Sequence, residues 1–361
     1  MLRILHVVTD MRRGGLETML MNYYRAIDRN KIQFDFLTHR EYLGDYGMEI
    51  LRLGGKIYHI SRLNPFSRQY KKELGEFFKE HPEYQIVHVH QDCLSSIILK
   101  AAKKYGVKVR IAHSHSSNQD KNIKYPIKIF YKRFIPRYAT NLLACGKEAG
   151  EWMFNGANFQ VLNNAINTKQ YRFDKEKRVQ MRRSLGVSDD EFVIGHVGRF
   201  SPVKNHLFLL KVYKEILKEK KSKLLMVGDG QLRKEIEQEI ERLGIASNVI
   251  LTGVRQDVCD LMQAMDVFVL PSLYEGLGIV GVEAQAAGLP CVFSENIPQE
   301  VILTNDAKRI ALTTSMDEWA KQILEMRNKE RTDTYDVICR AGYDINNNVK
   351  KLEEYYLNLL K

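Results

Sequence analysis

The sequence predicts an α/β protein built from two doubly wound parallel-sheet domains, and three observations predict it. Short runs rich in Val and Ile alternate with stretches of helical period. The alternation occurs twice, once in each half of the chain. At ~150 residues per domain, the 361 residues suit two domains rather than one.

In the first half the predicted strands are Ile4–Val8, Phe34–Thr38, Lys56–Ile60, Ile86–His90, Val109–His113 and Asn141–Cys145. Helical spacing falls between them at Glu17–Ile27, Ser67–Lys79, Leu94–Tyr105 and Ile127–Ile135. The second half gives strands Phe192–Val197, Lys223–Val227, Val249–Thr252, Val267–Leu270 and Cys291–Ser294. Its helices are predicted at Asn205–Lys220, Gln231–Leu243, Val258–Met265 and Val280–Ala287. Turn-forming residues place the seam near Asn163–Arg172. Apolar and aromatic residues at 349, 352, 355, 356, 359 and 360 close the sequence with an amphipathic helix. The expected domains are therefore 1–168 and 169–345, with helix 346–361 packing back onto the first.

Composition narrows the class. Apolar residues are 44% and charged residues 27%, the balance of a globular protein. No apolar run approaches the ~18 residues of a spanning helix. The first one, Ile4–Val8, is too short for a signal peptide and is closed by Asp10. Five scattered cysteines with no C-x-x-C spacing exclude a disulfide framework and point to the cytoplasm. Residues 1–170 hold 27 Lys/Arg against 15 Asp/Glu, a net of +12, while the remainder holds 28 against 29, a net of −1. A basic half beside a neutral one suggests that one domain meets an anionic partner.

Three strand-to-helix loops offer phosphate chemistry, which needs backbone N–H donors, a helix N-terminus and cations. The first runs from Asp10 through Arg12, Arg13, Gly14 and Gly15, and has the spacing of neither a dinucleotide fingerprint nor a Walker loop. A plain turn remains the alternative there. The second holds Gly198, Arg199, Lys204 and Asn205, where two cations bracket a Pro-containing turn at a strand's carboxyl end. The third runs from Pro271 to Pro290. Glu275 stands at a helix mouth beside Gly276, Leu277 and Gly278, and Glu283 stands about two turns further on. Two carboxylates facing one cleft suit hydroxyl groups on two parts of a ligand, with backbone N–H groups for a phosphate between them.

Taken together and in order, these motifs resemble those of retaining GT-B glycosyltransferases of family 4. They are Gly14-Gly15, the histidine-bearing strand end, Gly198-Arg199…Lys204-Asn205, Val227-Gly228-Asp229-Gly230, Leu251-Thr252-Gly253, Asp266…Pro271-Ser272 and Glu275-Gly276…Glu283-Ala284…Gly288-Leu289-Pro290. The resemblance implies two facing Rossmann-like domains with a cleft between them, the acceptor held by the first and the nucleotide-sugar donor by the second. It assigns Arg199 and Lys204 to the donor diphosphate and Glu275 to the hydroxyls of the transferred sugar. Gly198, Asn205, Gly228 and the backbone of Gly276, Leu277 and Gly278 join the donor site. Glu283 falls to the ribose, Gly15 to the diphosphate, and Val254 with Arg255 to the nucleobase. It also implies that a histidine after the fifth strand touches the donor sugar, His115 first and His113 second.

His88-x-His90 and His113-x-His115 each place two rings on one face of a strand. A four-histidine metal site is the rival to the sugar role, and an ordinary buried histidine is a further alternative. Arg199 and Lys204 supply the charge a metal would, and no Asp-x-Asp occurs, so neither metal nor cofactor is expected. Between Asp120 and Glu148 stand Lys121, Lys124, Lys128, Lys132, Arg133, Arg137 and Lys147 with no acidic residue. A wheel puts Ile123, Ile127, Phe130 and Phe134 on one stripe and Lys124, Lys128 and Lys132 on another. Such a helix suits either an anionic membrane surface or the domain's own sheet.

The reading is a hexosyl- or N-acetylhexosaminyl-transferase, moving sugar from a nucleotide diphosphate sugar (UDP first) to a glycan or lipid-linked acceptor. Cell-surface polysaccharide synthesis is the expected setting, in the cytoplasm and at the inner membrane face. The alternatives are a nucleotide-sugar epimerase of the same fold and a nucleic-acid-binding protein. The latter rests on charge alone, with no RRM, helix-turn-helix or zinc-finger signature, so no nucleic-acid partner is expected.

Overall fold

The computed structural model describes residues 1–119 and 122–361. The chain forms two compact units, one made of Met1–Ile166 with Asp344–Lys361, the other of Asn167–Tyr343. The seams lie two residues before the sequence boundaries. The reason is a parallel bridge between Ile166 and Asp344, which ties the two connecting stretches together, Ile345 N–H donating to the Ile166 carbonyl at 2.9 Å.

The first unit carries β1 (Leu2–Val8), β2 (Ile32–Thr38), β3 (Ile57–His59), β4 (Ile86–Val89), β5 (Val109–Ser114), β6 (Asn141–Ala144) and β7 (Gln160–Val161). They pair in parallel in the order β3-β2-β1-β4-β5-β6-β7. The second unit carries β8 (Phe192–Val197), β9 (Ser222–Val227), β10 (Val249–Leu251), β11 (Val267–Leu270), β12 (Cys291–Ser294) and β13 (Ala307–Ile310) in the parallel order β10-β9-β8-β11-β12-β13. Both sheets are doubly wound. Their order reverses at β1/β4 and at β8/β11, and ligands of such sheets bind beyond the strands' carboxyl ends at that reversal.

Helices cover both faces, which explains why the strands read as continuous apolar runs rather than alternating ones. Ile4 and Val8 of β1 join one core with Phe34 and Phe36, while Leu5 and Val7 join the opposite core with Val87 and Val89. Helix Ile345–Asn358 belongs to the first unit, where Ile345, Val349, Leu352 and Tyr356 enter the core with Phe34. Tyr356 is fully buried, a side chain whose burial contributes roughly 1.5–3 kcal/mol. Asp344 caps this helix by accepting from Asn347 N–H.

The helix expected at Ile127–Ile135 is two helices, Tyr125–Lys132 and Ile135–Tyr138. Pro136 stands in the first turn of the second one, and a proline inside a continuous helix would lose a hydrogen bond and clash with the preceding turn. Among the described residues no helix is long and apolar enough to cross a membrane. The five cysteines are free thiols.

Candidate functional site

At the reversal of the second sheet, β8 and β11 lie side by side and deliver their following loops to one place. The β8 loop turns through a short 3₁₀ segment, Pro202–Lys204, and Asn205, at φ +57°, directs the chain into helix His206–Glu219. Leu273 N–H donates to the Val203 carbonyl at 2.8 Å, stitching the β11 loop to the β8 loop. Across this seam Lys204 Nζ donates to Glu275 Oε1 at 2.6 Å, and Ser272 Oγ donates to the same oxygen at 2.7 Å. Neither Lys204 nor Glu275 is more than one-fifth exposed, so the pair is screened less than a surface ion pair.

Gly278, at φ +81° and ψ 53°, is the residue before helix Ile279–Ala286; glycine adopts that conformation without the Cβ clash that a side chain brings. Glu283 sits one turn into that helix and is buried. Desolvation pushes its carboxyl up to about 7, opposed by a hydrogen bond from Tyr171 and by the charge of Lys204. Lys204 thus bonds Glu275, and its charge also bears on Glu283. Gly228, at φ +140°, brings the β9 loop so close that a Cβ would run into the Gly198 carbonyl oxygen, and its N–H donates to the Gly253 carbonyl at 2.9 Å. Gly198, Arg199, Lys204, Asn205, Gly228, Val254, Arg255, Glu275, Gly276, Leu277, Gly278 and Glu283 therefore all lie beyond the strand ends of one sheet or at the helix that follows. Val254 is 54% exposed, and Arg255 is held by Asp257 through two bonds of 2.8 and 2.6 Å.

The first unit has its own concentration of chemistry at the same topological position. His6 on β1 pairs in register with His88 on β4, and His90 follows β4. His113 stands on β5 and His115 just after it. Ring nitrogens are close throughout: His6 Nδ1 to His90 Nε2 3.1 Å, His90 Nδ1 to His115 Nε2 2.8 Å, and His88 Nε2 to His113 Nδ1 3.1 Å. His88 Nδ1 lies 2.7 Å from the Tyr356 hydroxyl of the last helix. Burial disfavours the imidazolium in all five, bringing His6 and His115 down to about 3. In the nearby β1 loop, Asp10 accepts from Arg12 and from Tyr42, and helix Gly15–Ala26 begins at Gly15.

Residues 13–170 match the description Glycosyltransferase Family 4, and residues 177–343 match Glycosyl transferases group 1. EpsF of Bacillus subtilis (strain 168), named as a glycosyltransferase, is 36% identical over 98% of this chain and 96% of its own. The chain belongs to glycosyltransferase family 4. The UDP-Gal:alpha-D-GlcNAc-diphosphoundecaprenol alpha-1,3-galactosyltransferase of Escherichia coli is 24% identical over 77% of this chain and 76% of its own. Among solved structures, Anabaena HepE in complex with UDP and glucose superposes with a TM-score of 0.81 at 19% identity, covering 99% of both chains. The glycosyltransferase has the GT-B architecture of such neighbours, and the family does not favour the epimerase alternative.

Two expectations about this glycosyltransferase need correction. Glu283 is one turn inside its helix rather than two, because the helix begins at Ile279 and Glu275 belongs to the preceding loop. Lys132 is not part of an exposed basic stripe. It is 8% exposed, its ammonium donates to the Trp152 carbonyl, and it lies 4.3 Å from the Trp152 ring centre, so the last turn of helix Tyr125–Lys132 packs this side chain against Trp152. Lys124 is exposed and Lys128, half-buried, donates to Gln119 Oε1; Ile123 and Phe130 are 93% and 50% exposed. Lys121 lies outside the described residues. The sequence assigned no site role to four contributors: Ser272, Tyr171, His6 and Tyr356. Ser272, within the Pro271–Glu275 loop, had a local signal, whereas the others join their sites only through tertiary pairing.

Proposed function

We propose that the glycosyltransferase transfers a sugar, with retention at the anomeric carbon, from a UDP-sugar to a hydroxyl of a glycan or lipid-linked acceptor in cell-surface polysaccharide synthesis. The observation that carries this reading is Lys204 joined to Glu275 at 2.6 Å within reach of the charge on Glu283, at the reversal of the second sheet. A cation bonded to one carboxylate, with its charge felt at a second, fits a ligand that carries hydroxyls on either side of a diphosphate. The anomeric carbon–oxygen bond breaks toward the diphosphate, and Arg199 and Lys204 stabilise the charge that grows there. The acceptor oxygen bonds to the anomeric carbon on the same face, and its proton passes to the leaving phosphate. Glu275 orients the sugar hydroxyls, and Glu283 accepts from the ribose. Because Asp257 occupies the fork of Arg255, the guanidinium offers the nucleobase its flat face.

Support for uridine comes from relatives, since the galactosyltransferase is named for UDP-Gal and HepE was solved with UDP. Support for a polysaccharide setting comes from CapH of Staphylococcus aureus, named for capsular polysaccharide biosynthesis and 22% identical over 99% of both chains. Gly15 and His115 carry their donor roles, and His113 its second-ranked one, on the resemblance alone. Peripheral contact with an anionic membrane is supported by exposed Ile123 and Phe130 beside Lys124, Arg133 and Arg137. A thermal-shift panel of UDP-, GDP-, ADP- and dTDP-sugars tests the donor, followed by NMR assignment of the product's anomer. Stabilisation by a UDP-sugar and a retained anomer are expected; an inverted anomer or no nucleotide-sugar response overturns the reading.

A further inference from the structure

Apart from the sugar contact that the resemblance gives His115 or His113, the mechanism above has no task for a dense group of buried histidines. One ring nitrogen from each of His90, His113 and His115 lies within 4.8 Å of the other two, and the same holds for His6, His88 and His90. Three nitrogens of the cluster, His6 Nε2, His113 Nε2 and His115 Nδ1, are buried with no hydrogen-bond partner in the protein. Buried polar atoms ordinarily have one. Of the three, His113 Nε2 belongs to the ring triad of His90, His113 and His115 and is the one that calls for a ligand there. We propose that His90, His113 and His115 form a binding site for one divalent transition-metal ion of the zinc class, held through His90 Nδ1, His113 Nε2 and His115 Nε2.

The donor chemistry selects the ion. Three imidazoles with no carboxylate suit Zn²⁺, Co²⁺, Ni²⁺ or Cu²⁺ and not the hard ions Mg²⁺ and Ca²⁺. Burial keeps these rings neutral, so each has a lone pair to give. Two of the ligands are already oriented through their second nitrogen: His90 Nε2 meets His6 at 3.1 Å, and His113 Nδ1 meets His88, which in turn meets Tyr356 at 2.7 Å. His90 Nδ1 and His115 Nε2 stand 2.8 Å apart, whereas tetrahedral ligands about 2.0 Å from zinc are about 3.3 Å apart. His115, half-buried and beyond the end of β5, is the member placed to make that shift. Three protein ligands leave a fourth position for water or an anionic oxygen. The proposal stands whether or not His115 touches a sugar.

The test uses full-length, tag-free protein stripped with EDTA and dialysed against Zn²⁺ or Co²⁺. We expect about one ion per chain by elemental analysis and the intense visible bands of four-coordinate Co²⁺. His90→Gln and His115→Gln should each weaken binding beyond the ~10–100-fold that loss of an outer-shell partner costs, while His59→Gln, outside the cluster, leaves it unchanged. If His90→Gln fails to fold, His115→Gln, at a half-buried loop position, carries the test alone. Absence of the cobalt bands, or binding undiminished in His115→Gln, overturns the proposal and leaves the cluster a stack of buried rings.

Discussion

Replacing Glu283 by Gln tests the desolvated carboxyl at the candidate site. In the native chain this carboxyl is pushed up to about 7, against an ordinary 4.5. Below about pH 4.5 both the folded and unfolded forms hold the proton, and burial carries no ionic penalty. As pH rises, the unfolded chain releases the proton first. Stability therefore falls from about pH 4.5 to about pH 7 and stays level above that. At ~1.4 kcal/mol per pH unit, the loss approaches about 3 kcal/mol. Gln keeps the shape and an acceptor for the Tyr171 hydroxyl but never ionises. Glu283→Gln should thus be more stable than the parent by up to about 3 kcal/mol at pH 8, and by less than about 1 kcal/mol at pH 5. The chain has two tryptophans, Trp152 in the first unit and Trp319 in the second. In a Trp152→Phe background, Trp319, buried and donating to the Ala311 carbonyl at 3.0 Å, reports urea unfolding of the second unit alone. A gain equal at both pH values, or a loss at pH 8, refutes the reasoning.

Glu275→Gln should lose turnover by about 10²-fold or more with little change in urea midpoint, since its bonds to Lys204 and Ser272 are made in a loop; steady-state assay on the identified donor checks it. Transfer should persist within a few-fold in excess EDTA, because Arg199 and Lys204 carry the diphosphate charge; a strict Mg²⁺ or Mn²⁺ requirement, restored by the ion, contradicts this. Lys124→Gln with Arg133→Gln and Arg137→Gln should reduce sedimentation with phosphatidylglycerol vesicles by a few kcal/mol, at about 1 kcal/mol per charge, an effect that fades with salt. Lys132→Gln belongs to a different test. It should lower stability of the first unit, measured by urea unfolding, without changing vesicle binding, because its ammonium serves Trp152.

The doubly wound architecture was legible because buried parallel strands announce themselves as apolar runs, and Ile4–Val8 or Val267–Leu270 have both faces covered. Strand β13 was not, since Lys308 and Arg309 occupy half of an edge strand and no apolar run marks it. The loops holding Arg199, Lys204 and Glu275 were legible as strand-to-helix turns, but that Lys204 reaches Glu275 depends on β8 lying beside β11, a pairing of segments some 70 residues apart. His6 illustrates the same boundary. Alone on β1 it is a polar interruption of a hydrophobic run, and only its register with His88 makes it one of five. The basic stripe failed at Lys132 because a wheel shows which residues share a face and not what packs against it, and Trp152 of a later helix takes up the Lys132 ammonium.

The bridge between Ile166 and Asp344 has a consequence for how the polypeptide acquires its structure. The second unit is inserted between two stretches of the first, so its 167–343 segment emerges from the ribosome whole while the first unit still lacks residues 344–361. Until that last segment arrives, the aromatic face around Phe34 and the His88 ring have no Tyr356 against them. Contacts spanning that much sequence close slowly, since the loop entropy must be met before the packing returns it. During synthesis the unit that begins first is thus the unit that is completed last, and the final helix acts as the clasp that ends its folding.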